Sequence, residues 1–309
     1  MRLLGNAFQG NFASQCKSNE VLYEVPSARR VGLVEEKLSD IEARVSRLET
    51  SLFLQPYEEV LNILGPTGTI LPLMDPLSPS FEATTFPTLG AQRATFTWAK
   101  APSSFATPPA MIGRVPVIAF GGTDELAKSP DADYWSVGNG SADSPFTTGA
   151  WVQVDANAPA RFVLSKRAPG SLEWELFIDA VARPYLALYD NSVPVAASIR
   201  AGPVASGRWV FIAFTYDGRG GRWATNGAEV YVDGTVGSGV TRSNDPAYGA
   251  SENLNGPLGL AHAEGGSAAL FPFQGKIAGG HIGPFFVKRA LTASEVRHLY
   301  DIGRAALGL

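Results

Sequence analysis

The run RWVFIAFTYD (208–217) constrains this chain more than any other stretch in it. Successive side chains of an extended strand point to opposite faces. Trp209, Phe211 and Ala213 alternate here with Val210, Ile212 and Phe214, so both faces are apolar. Such a strand must be covered on both sides. Further short alternating or apolar runs accompany it: PVIAF (116–120), GAWVQVDA (149–156), RFVLSK (161–166), EWELFID (173–179), YLALYD (185–190) and AEVYVDG (228–234). Gly, Pro, Asn and Asp clusters separate them, drawn from 33 Gly and 22 Pro in the chain. That spacing predicts a mainly β, antiparallel sandwich. In AEVYVDGTV (228–236), Asp233-Gly234 follows the alternating Val230 and Val232. It predicts a two-residue type I′ hairpin turn, whose two central positions both need φ > 0, so Asp233 is turn chemistry and not a reactive carboxylate. Thr292 and Glu295 form a capping box before Val296, Leu299 and Tyr300, which predicts a short C-terminal helix.

A second pattern precedes the sandwich. Val31, Val34, Leu38, Ile41, Val45, Leu48 and Leu52 recur at spacings of three and four, with Val31, Leu38, Val45 and Leu52 at heptad position a and the others at d. Glu35, Glu42 and Glu49 fall at e, and Lys37 and Arg44 at g. Apolar residues framed by opposite charges predict a coiled-coil helix over 31–55 that Gln55-Pro56 ends. A helix of that length is marginal alone, so partners must bury its seam. RVSRLE, from Arg44 to Glu49, resembles the short-coil trimerisation motif, which implies a parallel homotrimer. Residues 1–30 form an arm without periodicity, expected to anchor the trimer to another protein. Residues 56–116 are expected to be a connector, with nine of the 22 prolines over 65–116, a short helix at 56–64, irregular strands and one clearer strand, ATFTWA (94–99).

From residue 117 to 304 the chain resembles the laminin-G-like or concanavalin A-like jelly-roll domains. IAFGGTDEL (118–126), SPFTTGAWVQVDA (144–156), SGRWVFIAFTYDG (206–218), AEVYVDGTV (228–236), FQGKIAGGHIG (273–283) and KRALTASEVRHLY (288–300) carry the likeness, in the family's order. It implies a jelly-roll domain over 117–309 made of two antiparallel sheets. Family members commonly bind glycans or proteins through rim loops, some with Ca²⁺. By position, the resemblance makes Asp124 a calcium-site residue. Ala278-Gly279-Gly280 stands where the family usually has an acidic pair, and calcium wants six to eight oxygens. No cofactor is therefore expected, with Ca²⁺ at Asp124 as the alternative.

Few residues of the chain suggest chemistry. Related jelly-roll glycanases carry two Glu and an Asp on one strand face. EWELFID offers Glu173, Glu175 and Asp179, but not at that family's spacing, and these are expected to be outward carboxylates on a sandwich strand. His262, His281 and His298 have no triad context, and GRGGR (218–222) lies between strands, where a phosphate loop would need a following helix. Cys16 is the only cysteine, which excludes an intrachain disulfide. A formal net charge of -4 without a basic run gives nucleic acid no purchase, and no 18-residue apolar run predicts membrane insertion. The N-terminus lacks the apolar core of a signal peptide, so export by the usual route is not expected. Tyr134, Trp135, Trp223 and Tyr248 lie in loop-like stretches and are the candidate ligand-binding rim.

Together these features predict a non-enzymatic virion structural protein, such as a phage decoration protein, head fibre or spike. It would be a homotrimer gripping another virion protein through residues 1–30 and displaying a lectin-like domain to surface glycans. A bacterial extracellular adhesin or lectin is the alternative, and a glycan hydrolase the weakest candidate.

Overall fold

The computed structural model describes residues 28–156, 159–265 and 269–309, which fall into two compact units, Met1–Leu52 and Phe53–Leu309. The long helix α1 spans Ala28–Leu64, and α2 spans Ala293–Ala306. The first strands are β1 (Gly68–Ile70), β2 (Thr85–Pro87), β3 (Leu89–Gly90), β4 (Thr95–Trp98), β5 (Ala110–Ile112), β6 (Val115–Gly121) and β7 (Ala127–Ser129). The long central ones follow: β8 (Phe146–Val154), β9 (Arg161–Ala168), β10 (Ser171–Ile178), β11 (Pro184–Asp190), β12 (Val195–Arg200), β13 (Trp209–Tyr216) and β14 (Ala228–Val232). Then come β15 (Thr235–Val236), β16 (Thr241–Ser243), β17 (Leu258–Leu260), β18 (Ala263–Glu264), β19 (Ala269–Leu270), β20 (Gln274–Ala278) and β21 (Phe285–Val287).

Two antiparallel sheets make the sandwich. One runs β15-β14-β13-β8-β20-β6-β5, with β21 also on β8 and continuing through β1 to β3. The other runs β16-β12-β11-β10-β9-β17-β7-β4-β2. Val210, Ile212 and Phe214 of β13 enter the core between the sheets, while Phe211 and Ala213 enter a second apolar layer on the other face. That layer is built by Tyr57, Val60 and Leu64 of α1 and by Val296 and Leu299 of α2. The doubly apolar strand is thus covered on both sides, by a sheet and by helices. Each large apolar side chain so buried contributes roughly 1.5–3 kcal/mol.

The local expectations at both ends of this layer hold. Asp233 and Gly234 have φ of 51° and 73°, between the paired Val232 and Thr235. Thr292 and Glu295 form the reciprocal capping box of α2. Arg289 ties the layer together, donating to the carbonyls of Ile63 and Leu64 and pairing with both oxygens of Glu295.

Two expected boundaries move. Pro56 does not end the helix but lies inside α1. Proline in a helix interior costs about 3 kcal/mol, and burial of Tyr57, Val60 and Leu64 offsets it. Nor does the sandwich begin at 117. Within 56–116, β1, β3 and β5 join one sheet, and β2 and β4 join the other. Phe86, Phe96 and Trp98 stack in the main core with ring centroids 5.2 Å apart, which explains a connector too apolar to be solvated.

In the first unit, the side chains described are those of residues 35–45. Leu38, Ile41 and Val45 are 55%, 52% and 42% exposed on the single chain, and Arg44 lies 3.9 Å from Asp40. Of the arm expected over 1–30, residues 28–30 belong to α1, and residues 1–27 lie outside the described residues, as do the side chains of Val31, Val34, Leu48, Glu49 and Leu52.

Candidate functional site

The structure disperses the expected rim. Trp135 and Tyr248 are core residues. The Trp135 carbonyl accepts the Trp174 indole N–H at 2.7 Å, and its ring packs edge-on to Tyr134 and Phe286. Tyr134 is half-buried, and its hydroxyl donates to the Thr67 carbonyl at 2.6 Å and accepts from Thr69 Oγ1. Tyr248 and Tyr216 both donate to Asp143 Oδ2, at 3.0 and 2.6 Å, and Asp143 Oδ1 accepts the Ser251 amide at 2.7 Å. Trp135 and Tyr248 are thus enclosed, and the hydroxyls of Tyr134 and Tyr248 fasten loops. Of the four, only Trp223 is open, 54% exposed, with the Arg222 guanidinium 4.9 Å from its ring centroid.

Asp124, which the resemblance placed at a calcium site, is ion-paired. Its Oδ1 accepts from Lys100 Nζ at 2.7 Å, and that ammonium holds its carboxyl below the usual range. Glu125 turns inward to the Gly121 amide and Thr123 hydroxyl. Among the described residues no three His, Cys, Asp or Glu side chains gather to hold a metal. Gly279 is where a side chain would meet the Pro72 carbonyl, 2.4 Å from its Cβ, so backbone packing explains the missing acidic pair.

A different surface has the makings of a site: the outward face of β9–β12. In this sheet Leu176, Ile178, Leu186, Leu188, Ala197 and Ile199 point into the core. The residues alternating with them face away from it. Register places Phe177 beside Tyr185 and Arg200, and Glu175 beside Ala187 and Ser198. Phe177 and Tyr185 stack at 4.4 Å, and the Arg200 guanidinium sits 6.0 Å from the Tyr185 ring centroid. The Tyr185 hydroxyl bonds Ser198 Oγ at 2.8 Å. On the other side of Ala187, the Tyr189 hydroxyl donates to Glu175 Oε2 at 2.6 Å and Arg167 pairs with Oε1. Burial, then the Glu175 charge, pushes the Tyr189 phenol up, so it stays a donor. Half-exposed rings thus flank a small-residue floor of Ala187 and Ser198, with two cations and one carboxylate fixed around it. Such a surface can stack an apolar ring face and hydrogen-bond hydroxyls.

The same face bears on hydrolysis. Glu173 and Glu175 are buried, not outward and solvated. A β-bulge between Leu172 and Trp174 breaks the alternation, and the two carboxylates take different partners, Lys166 for Glu173 and Arg167 for Glu175. Asp179 folds back on Arg183 through Oδ2 at 2.7 Å. Two-carboxylate cleavage needs a pair flanking one bond, and here each carboxylate is held by its own cation. His262 and His281 are buried, and burial pushes both pKa values down, His281 to about 4.

The family model described as the concanavalin A-like lectin/glucanases superfamily matches residues 127–297, more than half of the chain. The chain belongs to this superfamily. Solved structures similar to it include the binding domain of botulinum neurotoxin serotype G, at 14% identity and a TM-score of 0.49, over 71% of this chain and 49% of that one. Trypanosoma rangeli sialidase in complex with 2,3-difluorosialic acid matches at 15% identity and 0.48, over 82% and 38%. Domain 4 of AbnA, an extracellular arabinanase from Geobacillus stearothermophilus, in complex with arabinotriose, matches at 16% and 0.41, over 67% and 88%. These likenesses concern the fold alone. The chain spans about half the length of the neurotoxin chains it matches. No curated protein matches it.

The superfamily match covers the strands that build the outward face, yet the sequence pointed to loops instead. The available signal was YLALYD, where a strand with one apolar face carries Tyr185 and Tyr189 on the other instead of small polar residues.

Proposed function

We propose that this chain is a non-enzymatic attachment protein that binds glycan on the outward face of β9–β12 and is multiplied by trimerisation through α1. The observation that carries the proposal is the set of half-exposed rings Phe177, Tyr185 and Tyr189 around Ala187 and Ser198, with Arg167, Arg200 and Glu175 fixed beside them. Sugars present just such alternating apolar faces and hydroxyl edges. Membership of a superfamily of lectins and glucanases supports this ligand class. The neighbour complexes with a sialic-acid derivative and with arabinotriose share only the fold and add nothing to it. Glu175 is taken up by Arg167 and Glu173 is enclosed beside Lys166, so they do not flank one bond as a free pair, which favours binding over cleavage.

The heptad seam supports the trimer, because Leu38, Ile41 and Val45 are exposed on the single chain and three copies would bury them. Three weak sites on one assembly bind a repeating surface far better than one. A stalked, multivalent binding domain fits the surface of a virion, anchored by residues 1–30. Trp223 with Arg222 is the second place where a sugar could stack. A glycan array probed with the wild type and with Tyr185→Ala tests the proposal. Specific binding that the substitution abolishes supports it. Loss of binding only with Trp223→Ala moves the site to the rim, and an array without any hit refutes glycan recognition.

A further inference from the structure

Lys166 is the least explained charged residue in the fold. Its side chain is 0% exposed, on β9 opposite the buried Trp174 and Leu258. Its Nζ donates to Asp131 Oδ1 at 2.5 Å, to the Leu254 carbonyl at 3.0 Å and to the Gly256 carbonyl. Glu173 Oε1 lies 2.8 Å away, on a side chain that is also 0% exposed. One ammonium therefore meets two carboxylates, Asp131 at the surface and Glu173 in the interior. A lone surplus charge in such a place is costly unless it is neutralised by a proton. Glu173 is where that proton belongs. Its Oε2 is enclosed without a hydrogen-bond partner among the described residues, and burial pushes its pKa up.

An amine, a carboxyl carbon and a proton-carrying carboxyl are the three parts of an amide condensation. We propose that Lys166 and Asp131 join in an intramolecular isopeptide bond, with Glu173 as the catalytic carboxyl. Glu173 passes its proton to the Asp131 carboxylate and takes one in its place from the Lys166 ammonium, and the freed Nζ lone pair attacks Asp131 Cγ. A new C–N bond forms as one Cγ–O bond breaks, its electron pair leaving with the oxygen. Two of the three ammonium protons end on that oxygen, relayed by Glu173, so one water departs and the third proton stays on the amide nitrogen. The products are a neutral amide and water, with no oxidant or activating group consumed. Asp131 is 34% exposed while its two partners are enclosed, which gives the departing water a way out. The bond would tie the loop after β7 to β9, across 35 residues of chain. It suits a protein that must hold on to a surface, but it does not depend on what the protein binds.

Intact-mass spectrometry of the purified full chain reads the outcome directly. The expected mass is the sequence mass less one water, with a branched tryptic peptide joining the segments that hold Asp131 and Lys166. A population wholly at the sequence mass, with both peptides linear, overturns the proposal. Glu173→Gln keeps the shape of the side chain but cannot relay the proton, and is expected to stay at the sequence mass while folded by circular dichroism. A folded Glu173→Gln chain that still loses water overturns the role of Glu173. Should that variant fail to fold, Asp131→Ala in the more exposed loop is expected to fold at full mass, and loss of water from it would refute the assignment. Asp131→Asn makes the sharpest variant. It is expected to lose ammonia in place of water and converge on the wild-type product mass, and retention of its full mass would contradict the mechanism.

Discussion

Gly303→Ala is a substitution for which helix propensity and packing predict opposite signs. Gly303 lies buried in α2, and alanine in a helix interior is favoured over glycine by about 1 kcal/mol. A Cβ at this position would stand 1.9 Å from Trp151 Nε1, 2.6 Å from Cε2 and 2.9 Å from Cδ1. Trp151 has little room to yield. It stacks on Tyr300 at 5.5 Å and packs against Phe211 at 5.5 Å, under the helices that cover β13. Overpacking a tight core costs about 1–3 kcal/mol, and disturbing an aromatic pair about 0.5–1.5 kcal/mol. Sterics therefore outweigh propensity, and the expected net destabilisation is about 1–3 kcal/mol. Urea unfolding followed by tryptophan fluorescence checks this, read as a lower midpoint at unchanged slope. Trp151→Phe removes the indole nitrogen that the new methyl meets, so it should recover part of the loss when combined with Gly303→Ala. A Gly303→Ala chain as stable as the wild type, or more so, refutes the packing argument.

Acid should weaken the fold through His281, which sits edge-on to Tyr57 at 5.9 Å and whose pKa burial pushes down from 6.5 to about 4. Between those values the unfolded chain binds a proton that the folded chain refuses. Stability is therefore intact above pH 6.5 and falls as pH drops towards 4, by up to about 3 kcal/mol. His262, also pushed down by burial, acts with the same sign. His281→Phe should remove part of the slope in denaturant midpoint against pH, and an unchanged slope contradicts the assignment. Leu38→Asp with Ile41→Asp should reduce the mass in light scattering from trimer to monomer while leaving the sandwich's unfolding midpoint in place. A wild type that is already monomeric removes the trimer from the account.

The sequence disclosed the parts of this fold whose signals are local. The doubly apolar β13 announced a covered central strand, and Asp233-Gly234 and the Thr292–Glu295 box announced a turn and a cap within a few residues. Long-range satisfaction was invisible. Tyr248 finds its acceptor 105 residues away, in Asp143, and the Trp135 carbonyl accepts from a tryptophan 39 residues on. Both therefore looked like free loop aromatics. Strands of two to four residues among prolines, such as β1 to β5, carry no period to detect. The bulge at Glu173 adds a residue that alternation cannot foresee, so two glutamates assigned to one face acquired separate cations. Pro56 read as a stop because nothing nearby shows that Tyr57, Val60 and Leu64 are held by sheet residues far along the chain.

The central claim is that the outward face of β9–β12 holds a sugar. Calorimetric titration of an array-selected oligosaccharide tests it most directly, comparing the wild type with Tyr185→Ala and Trp223→Ala. Loss of one stacking ring of about 1.4 kcal/mol is a tenfold change in affinity. The account predicts at least that weakening for Tyr185→Ala and an affinity within twofold of wild type, roughly 0.4 kcal/mol, for Trp223→Ala. Undiminished binding by Tyr185→Ala would contradict it.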